Sequence, residues 1–251
     1  MNDGTSGDVS GELSPDETLE LLQTAEIEGL GLHPEGSNYV FIARLKPSGG
    51  SEPVLTIYKP AAGERPLRDF PRGTLYRRET AAYELGTALR WPSIPPTVIR
   101  DGPHGIGSVQ LFIDGQPDAN YFSMRDDHLE RFEAIALFDI ITNNADRKGG
   151  AVLLDGDDRL WAIDHGLTFN PLARLRTVMW EFCGKPISDA LVDDLKELGL
   201  ALGADAPLGA RLRELIADEE VEHLQNRVER VVQDPVFPML DPEKNVPWPF
   251  L

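Results

Sequence analysis

The sequence predicts an α+β fold in two lobes, a first lobe built on an antiparallel sheet and a second lobe that is mainly helical. Short runs rich in β-branched and aromatic residues fill much of the chain before residue 113, which indicates strands. After about residue 118, apolar residues recur at helical spacing instead. A third observation is a pair of aspartates, Asp146 and Asp164, at opposite ends of a loop and a hairpin in the second half.

A short helix is predicted at the start of the first lobe. Ser14 is a typical N-cap and Pro15 suits the first helical position, and the two acids that follow favour the positive end of the helix dipole. We expect this helix to end near Thr24. Because segments rich in turn formers separate the next apolar runs, we predict three strands, over residues 25–32, 39–45 and 54–58.

A longer helix is predicted over residues 74–89, where Ala82, Leu85 and Leu89 follow helical spacing. Two further strands, over residues 97–100 and 107–113, flank the turn DGPHG. The first lobe is therefore a five-stranded sheet with one helix inserted after its third strand. That order of elements is common in the amino lobes of kinases.

The second lobe begins after a polar segment, IDGQPDAN. A helix over residues 126–141 carries Leu129, Phe132 and Ile140 on one face, and helical spacing returns between residues 189 and 232. A proline-punctuated tail follows, which cannot be helical. We place the boundaries at 1–13 for a disordered leader, 14–113 for the amino lobe and 114–251 for the carboxy lobe.

The charge balance excludes several kinds of partner. The 251 residues include 24 Lys+Arg and 42 Asp+Glu, a formal net charge of −18, which repels nucleic-acid phosphates and anionic membrane surfaces. No run of 18 apolar residues occurs. The single cysteine, Cys183, permits no internal disulfide and suits a reducing compartment. We expect a cytoplasmic protein with no nucleic-acid partner and no stable membrane association.

The segment from Asn143 to Thr168, NNADRKGGAVLLDGDDRLWAIDHGLT, is the most informative about chemistry. A hairpin brings its flanks together, so Asp146 and Asp164 should approach one point. Phosphoryl transfer needs such a pair, one aspartate to orient the acceptor hydroxyl and another to hold the metal that bridges the phosphates. The alternative is that both are ordinary turn residues, since aspartate is frequent in turns.

DRKGGAVLL and LWAIDHG resemble the catalytic loop and the metal-binding segment of the phosphatidylinositol 3- and 4-kinase-like superfamily. The type II phosphatidylinositol 4-kinases are similar, and an actinobacterial group of PI3/PI4-kinase-like proteins with unassigned substrates is more so. That group shares YKPAAGERPLRDFPRGTLYRRETAAY, PPTVIRDGP and LRTVMW. The resemblance covers about Asn38 to Trp180 and implies a two-lobed kinase fold that binds ATP and Mg²⁺ or Mn²⁺ between its lobes.

The resemblance also implies roles for single residues. Asp146 takes the place of the catalytic aspartate, Asp164 that of the metal ligand, and Lys148 a position from which a lysine can contact the transferring phosphoryl group. Ala151 is a departure, because the superfamily has a metal-binding asparagine there. Asn144 or its neighbour Asn143 substitutes for that ligand, or a single metal suffices, or the protein is a pseudokinase.

The first lobe supplies the remaining nucleotide-binding candidates. Lys59 ends the third strand, where kinases place the lysine that contacts the α and β phosphates, and Glu79 is its natural helix partner. Their positions along the chain add two further groups of candidates. Ser37 and Asn38 belong to a phosphate-covering loop, and the hinge residues are Gln110, Leu111 and Ile113. Each has a plain structural alternative: a surface ion pair, an ordinary hairpin loop or a buried strand end.

The loop over residues 61–73 is unusually basic for so acidic a chain. Arg65, Arg68 and Arg72 could steer or clamp an anion. Equally, they could pair with the neighbouring acids Glu64 and Asp69.

Together these features predict an ATP-dependent kinase that transfers the γ-phosphate to a hydroxyl of a protein or of a small soluble acceptor. A net charge of −18 argues against a lipid acceptor. Ala151 supports the first alternative, a nucleotide-binding pseudokinase that acts as a regulatory or interaction module. A phosphatidylinositol kinase is the second alternative.

Overall fold

A five-stranded antiparallel sheet occupies the amino-terminal half of the chain, with the strand order β1-β2-β3-β5-β4. The computed structural model describes residues 13–32, 38–47, 52–172 and 174–251. The predicted leader, apart from Leu13, lies outside these residues. The strands are β1 Glu26–Leu32, β2 Phe41–Lys46, β3 Val54–Pro60, β4 Thr97–Gly102 and β5 Gly105–Leu111.

One face of the sheet packs on the first helix, α1 (Pro15–Thr24). Tyr58 and Val109, which pair across β3 and β5, form this face with Ala43 and pack against Leu22 of α1. The helix begins as predicted, because the Ser14 hydroxyl accepts the amide of Glu17 while the Glu17 carboxylate accepts the amide of Ser14. These apolar contacts fix α1 against the outer side of the sheet.

The other face of the sheet carries Lys59. Ile42 and Ile57 are directly paired, and since side chains alternate along a strand, Ile57 and Lys59 point to the same side. Helix α2 (Leu75–Leu89) packs on this side, where it contacts Ile99 of β4. The sheet and the helix inserted after β3 therefore confirm the predicted element order.

The carboxy-terminal half is mainly helical, around one short hairpin of β6 and β7. The helices are α3 Tyr121–His128, α4 Glu133–Thr142, α5 Asp189–Ala201, α6 Pro207–Leu215 and α7 Asp218–Gln233, and the strands are β6 Val152–Leu154 and β7 Leu160–Ala162. The tail after residue 233 contains no helix, as its prolines predict.

The single helix predicted over residues 126–141 was wrong. Asn120 caps an earlier start by accepting the amides of Phe122 and Ser123, so α3 begins at Tyr121. His128 then leaves the helical region, with φ −138°, and a 3₁₀ turn over Leu129–Phe132 redirects the chain into α4. The change of direction allows Phe132, which is 1% exposed, to enter the core.

Helix α2 belongs to the large core of the carboxy-terminal half. Ala81, Ala82, Leu85 and Leu89 are buried in the same cluster as apolar residues of α4, α5, α6 and α7. The division of the chain at about residue 113 therefore stays a prediction, since packing crosses it. Among the described residues, no helix is both long enough and apolar enough to cross a bilayer.

We predict that Leu85→Ala lowers the free energy of unfolding by about 2–5 kcal/mol, the usual cost of a cavity in a packed core. Leu85 is fully buried where α2 meets the carboxy-terminal helices. Denaturant unfolding measures the change. Leu200→Ala is the matched control, because Leu200 is 83% exposed and its loss should stay within about 0.5 kcal/mol. Equal losses in the two variants would contradict the core described here.

Candidate functional site

Lys59, Glu79 and Asp164 form one ionic network between the sheet, α2 and the segment after β7. The Lys59 ammonium lies 2.6 Å from Glu79 Oε1 and 2.8 Å from Asp164 Oδ1. Three distant parts of the sequence therefore converge on one amine. Lys59 and Glu79, which the sequence predicts to pair, form an ion pair in the structure.

Glu79 also holds the backbone beside Asp164. Its second carboxylate oxygen, Oε2, accepts the amide of His165 at 3.0 Å. Asp164 itself has φ +59°, in the left-handed region that aspartate tolerates better than most residues. Because Glu79 bridges the lysine and this amide, the position of α2 sets the position of Asp164.

Lys59 and Asp164 stabilise each other in their ionised forms. Burial alone would lower the pKa of Lys59, but the Asp164 and Glu79 carboxylates outweigh it and raise that pKa above its ordinary value. The Lys59 ammonium in turn lowers the pKa of Asp164 to about 2. The Asp164 side chain is nevertheless 62% exposed, so it remains open to a ligand.

Asp146 lies nearby, at the start of the loop between α4 and β6. Its Oδ2 is 3.4 Å from the Lys148 ammonium, and both side chains are about a third exposed. Burial raises the pKa of Asp146 above its ordinary value, and the opposing charge of Lys148 limits the rise. Arg147, which follows Asp146, contacts the carbonyl of Ile163 and the ring of His165, the two residues that flank Asp164, so the two aspartates lie in one site.

Arg147 connects α4, the loop that carries Asp146 and the segment around Asp164 from a buried position. Its guanidinium is fully buried and forms a two-pronged ion pair with Asp139 of α4, at 2.8 and 3.0 Å. One of its nitrogens also donates to the carbonyl oxygens of Ala151 and Ile163, at 2.7 and 2.8 Å. The remaining contact is with His165 Nε2, at 2.9 Å.

Sequence reasoning missed Asp139, although a signal was available. Asp139 lies in the run ALFDIIT, and a charge in a helix that is otherwise apolar requires a buried partner. His165, which directly follows Asp164, contacts Arg147 through Nε2. Burial, and then the charge of Arg147, keep the pKa of His165 well below its ordinary value, so the ring is neutral and Nε2 accepts.

A second buried ion pair fixes α2 to the carboxy-terminal half, and sequence reasoning missed it as well. Arg78 is 1% exposed, donates to Glu220 of α7 at 2.5 Å, and donates to the carbonyl of Thr168 at 2.7 Å. The guanidinium also lies over the ring of Phe70, 5.0 Å from its centroid. Since Arg78 precedes Glu79, this pair holds the helix turn that carries Glu79.

Asn144, predicted as the second metal ligand, is used within the loop. Its side chain is fully buried, with Nδ2 donating to Asp139 Oδ1 at 2.8 Å and Oδ1 accepting the amide of Asp146 at 3.0 Å. That prediction is therefore corrected, because both ends of the amide already have partners. Ala151 is 4% exposed and offers only backbone atoms.

The donors that remain fit a cation shared with a nucleotide. Over residues 13–32, 38–47, 52–172 and 174–251, no three His, Cys, Asp or Glu side chains converge closely enough to hold a metal by themselves. Asp164 has one carboxylate oxygen on Lys59 and a second that is free for a cation, with Asp146 in the same site. Mg²⁺ typically takes one or two carboxylates together with substrate phosphates.

The predicted hinge is only partly available to a ligand. Gln110 is buried and donates to Thr97 Oγ1 at 2.8 Å, and the amide of Leu111 donates to the carbonyl of Pro96 at 2.9 Å. The prediction for Gln110 is corrected, and the amide of Leu111 is not available to a ligand, since both donors serve the sheet. The amide of Ile113 meets no acceptor in the part of the chain that the structure describes.

The predicted phosphate-covering loop lies mostly outside the described residues, and Ser37 is among those left out. Asn38, at its end, accepts the amide of Arg65 on Oδ1 at 2.8 Å. The Asn38 side chain therefore anchors the basic loop through its amide oxygen.

The arginines of the basic loop do not pair with its acids. Asp69 contacts Arg174 at 3.3 Å, and Glu64 accepts the amide of Tyr76 at 2.9 Å. Within the described ranges, none of the three loop arginines has a carboxylate within 4.0 Å; they are Arg65, Arg68 and Arg72. Among the described residues, the alternative that these arginines pair with Glu64 and Asp69 is therefore wrong.

We predict that Asp139→Asn lowers the free energy of unfolding by about 3–5 kcal/mol, because Arg147 is then left buried without its counter-charge. Denaturant unfolding measures the change. Asp193→Asn is the matched control, since Asp193 forms an exposed pair with Lys196 at 2.6 Å and should cost only about 0–1 kcal/mol. An Asp139→Asn protein as stable as this control would contradict the bracing role of Arg147.

Solved structures with similar folds include kinases. The Golgi casein kinase with Mn/ADP bound has a TM-score of 0.56 at 14% identity, covering 87% of this chain and 74% of that one. Hydra Fam20 with sugar has a TM-score of 0.56 at 13% identity, covering 88% and 87%. The Helicobacter pylori proinflammatory kinase CtkA has a TM-score of 0.51 at 10% identity, covering 86% and 94%. The chain therefore has a two-lobed kinase-like fold.

No protein-family model matches the chain. Phosphatidylinositol 4-kinase gamma 4 of Oryza sativa subsp. japonica is 32% identical over 108 residues, which cover 36% of this chain and 19% of that protein. Protein Rv2133c of Mycobacterium tuberculosis is 34% identical over 270 aligned positions, covering 93% of this chain and 95% of the relative. The chain therefore belongs to the family of Protein Rv2133c.

Proposed function

We propose that this protein is an ATP-dependent phosphotransferase that moves the γ-phosphate to a hydroxyl of a protein or of a small soluble acceptor. One observation carries the proposal: Lys59 holds the carboxylates of Glu79 and Asp164 at 2.6 and 2.8 Å, in the same site as Asp146. This is the set of charges that phosphoryl transfer requires, a lysine for the phosphates, a metal ligand and an acceptor-orienting aspartate.

Each side chain has one task in this scheme. Lys59 contacts the α and β phosphates, and Glu79 keeps the amine in place. Asp146 orients the acceptor hydroxyl and accepts its proton, while the Lys148 ammonium lies close enough to balance charge that develops on the phosphoryl oxygens. A bound nucleotide would replace part of the contact between Lys59 and Asp164.

The protein would use Mg²⁺ or Mn²⁺, held by Asp164 and the nucleotide phosphates. Such a cation neutralises phosphate charge. Asp164 suits this task because its pKa of about 2 keeps the carboxylate ionised at neutral pH. The hinge amide of Ile113 is the available donor for the adenine edge among the residues proposed for that role.

Aspartate substitutions test this scheme. We predict that Asp164→Asn abolishes the thermal stabilisation by ATP and Mn²⁺, because the metal ligand is lost. Asp146→Asn should keep that stabilisation and lose phosphate transfer by about 10²-fold or more, the usual contribution of a positioned base. Thermal shift measures binding, and release or transfer of labelled γ-phosphate measures turnover.

Asp205→Asn is the control of matched chemistry, since Asp205 is exposed in the connection between α5 and α6. It should change neither measurement. Turnover that survives both Asp146→Asn and Asp164→Asn would refute the assignment of the site.

The acid limb of the pH profile tests Asp146 separately. The ionised carboxylate is the active form, so turnover should fall as the pH drops through the pKa of Asp146, which lies above the ordinary 3.8. Asp164, with a pKa of about 2, stays ionised over that range. In Lys148→Met the limb should move to higher pH, because the cation that opposes the rise is removed. A limb that stays in place or moves to lower pH would count against Asp146 as the base.

A pseudokinase is the second candidate, and one observation favours it. Ala151 replaces the metal-binding asparagine of the resembling superfamily, and Asn144 has both ends of its amide engaged inside the loop. Under this hypothesis the protein binds nucleotide and acts through a partner. Stabilisation by ATP and Mn²⁺ without any turnover in the unsubstituted protein would support it over the enzyme.

A phosphatidylinositol kinase is the third candidate, supported by the partial similarity to phosphatidylinositol 4-kinase gamma 4. A net charge of −18 opposes stable docking on an anionic membrane. A soluble acceptor is therefore the better fit to the electrostatics.

A further inference from the structure

The loop between β3 and α2 forms a small cavity that the proposed phosphate chemistry does not use. Its volume is about 200 Å³, and Arg65 and Arg72 line it together with apolar side chains that include Leu67, Phe70 and Leu75. That volume is below the range typical of sites for drug-sized ligands, so it suits a single compact group rather than a whole nucleotide.

Neighbouring segments hold this loop in place at both ends. Near its start, the Arg65 amide donates to Asn38 Oδ1 at 2.8 Å. Near its end, Asn170 Nδ2 donates to the carbonyl of Asp69 at 2.6 Å. The backbone that carries the arginines is therefore ordered before a ligand arrives, which reduces the entropic cost of binding.

The floor of the cavity touches the catalytic loop. Phe70 and Leu75, which line the cavity, pack in one apolar cluster with Ala145 and Leu167. Ala145 directly precedes Asp146, and Leu167 lies three residues after Asp164. Phe70 and Leu75 therefore connect the cavity to the backbone of the loop that carries Asp146.

The charge of the lining favours an anion. Arg65 and Arg72 have no carboxylate partner among the described residues, whereas the acid of the lining, Glu64, directs one oxygen to the Tyr76 amide at the start of α2. The other oxygen of Glu64 is enclosed without a partner in the described structure. In a chain of net charge −18, this local excess of arginine is what an anionic substrate needs to approach.

We propose that this cavity binds a carboxylate or phosphate group of the acceptor and so selects acceptors that carry a negative charge near the target hydroxyl. This inference rests on the phosphotransferase function proposed above. Arginine guanidinium groups suit it, because their planar donors match the two oxygens of a carboxylate or phosphate. The apolar floor of Phe70 and Leu75 would contact the carbon skeleton beside that group.

Inorganic phosphate is the probe for the first experiment. With ADP and Mn²⁺ saturating the nucleotide site, phosphate is titrated and the thermal shift gives its affinity. Arg65→Gln with Arg72→Gln should weaken phosphate binding about tenfold or more, as expected for the loss of charge-assisted hydrogen bonds. Glu64→Gln should tighten phosphate binding, because the glutamine side-chain oxygen can still accept the backbone amide of Tyr76 while the repulsive charge is removed.

The control is the double variant Arg211→Gln with Arg230→Gln, which removes the same charge from exposed positions of α6 and α7. It should bind phosphate as the unsubstituted protein does. Equal weakening in the two double variants would reduce the effect to net charge and overturn the proposal. Binding that is lost in Asp164→Asn but kept in Arg65→Gln with Arg72→Gln would place the phosphate at the nucleotide site and also overturn it.

This readout needs no turnover, so failure of the cavity and failure of phosphate transfer are separate results. An inactive protein that still binds phosphate through Arg65 and Arg72 would refute the enzyme and keep the cavity. A second experiment identifies the source of the anion by competition with the bound phosphate. Displacement by a serine peptide with flanking aspartates, but not by its asparagine version, identifies a protein acceptor, and displacement by a hexose phosphate identifies a small molecule. Displacement by neither would contradict a role in acceptor selection.

Discussion

The buried guanidinium of Arg147 is the contact on which the site depends. An arginine offers five N–H donors, and those of Arg147 reach the Asp139 carboxylate, the carbonyl oxygens of Ala151 and Ile163, and His165 Nε2. These acceptors lie on α4, at the two ends of the β6-β7 hairpin and directly after Asp164. One side chain thus fixes the distance between the two aspartates, although neither aspartate touches it as a hydrogen-bond partner. A buried charge with every donor satisfied is stable, whereas the same charge with one partner missing is costly, so this arrangement is either complete or strongly destabilised.

The two aspartates have the same chemistry and opposite environments. Asp164 faces the Lys59 ammonium, which lowers its pKa to about 2, while burial raises the pKa of Asp146 above its ordinary value. Two carboxylates in one site whose pKa values are pushed apart are suited to different tasks, a permanent anion for a cation and a weaker acid for proton transfer. Lys148 limits the difference between the two pKa values, because its charge opposes the rise at Asp146. Glu79 maintains the difference, because it holds both Lys59 and the amide of His165 next to Asp164.

Patterns local in sequence predicted the elements well. The alternation of side chains in β3, the spacing of Leu85 and Leu89 in α2 and the Ser14 cap all depend on a few neighbouring residues, and the structure contains each of them. Resemblance to kinase motifs singled out Lys59, Glu79, Asp146 and Asp164 as candidates. The contacts that the sequence analysis missed join residues far apart in the chain. Arg78 binds Glu220, 142 residues away, and no residue near Arg78 in the sequence indicates which acid is its partner. Gln110 and Asn144 were misjudged for a related reason, since the sequence shows a polar group but not the partner that already occupies it.

Helix α2 has a double attachment that bears on how the protein can be controlled. Many kinases are switched by movement of the corresponding helix, which breaks and remakes the contact between its glutamate and the lysine. Here the same movement would expose the buried leucines of α2 to water and strand Arg78 and Glu220 as unpaired charges in the interior. The displaced state is therefore a partly unfolded one and not a resting conformation. A protein built in this way keeps the contact between Lys59 and Glu79 as long as α2 stays packed in its core.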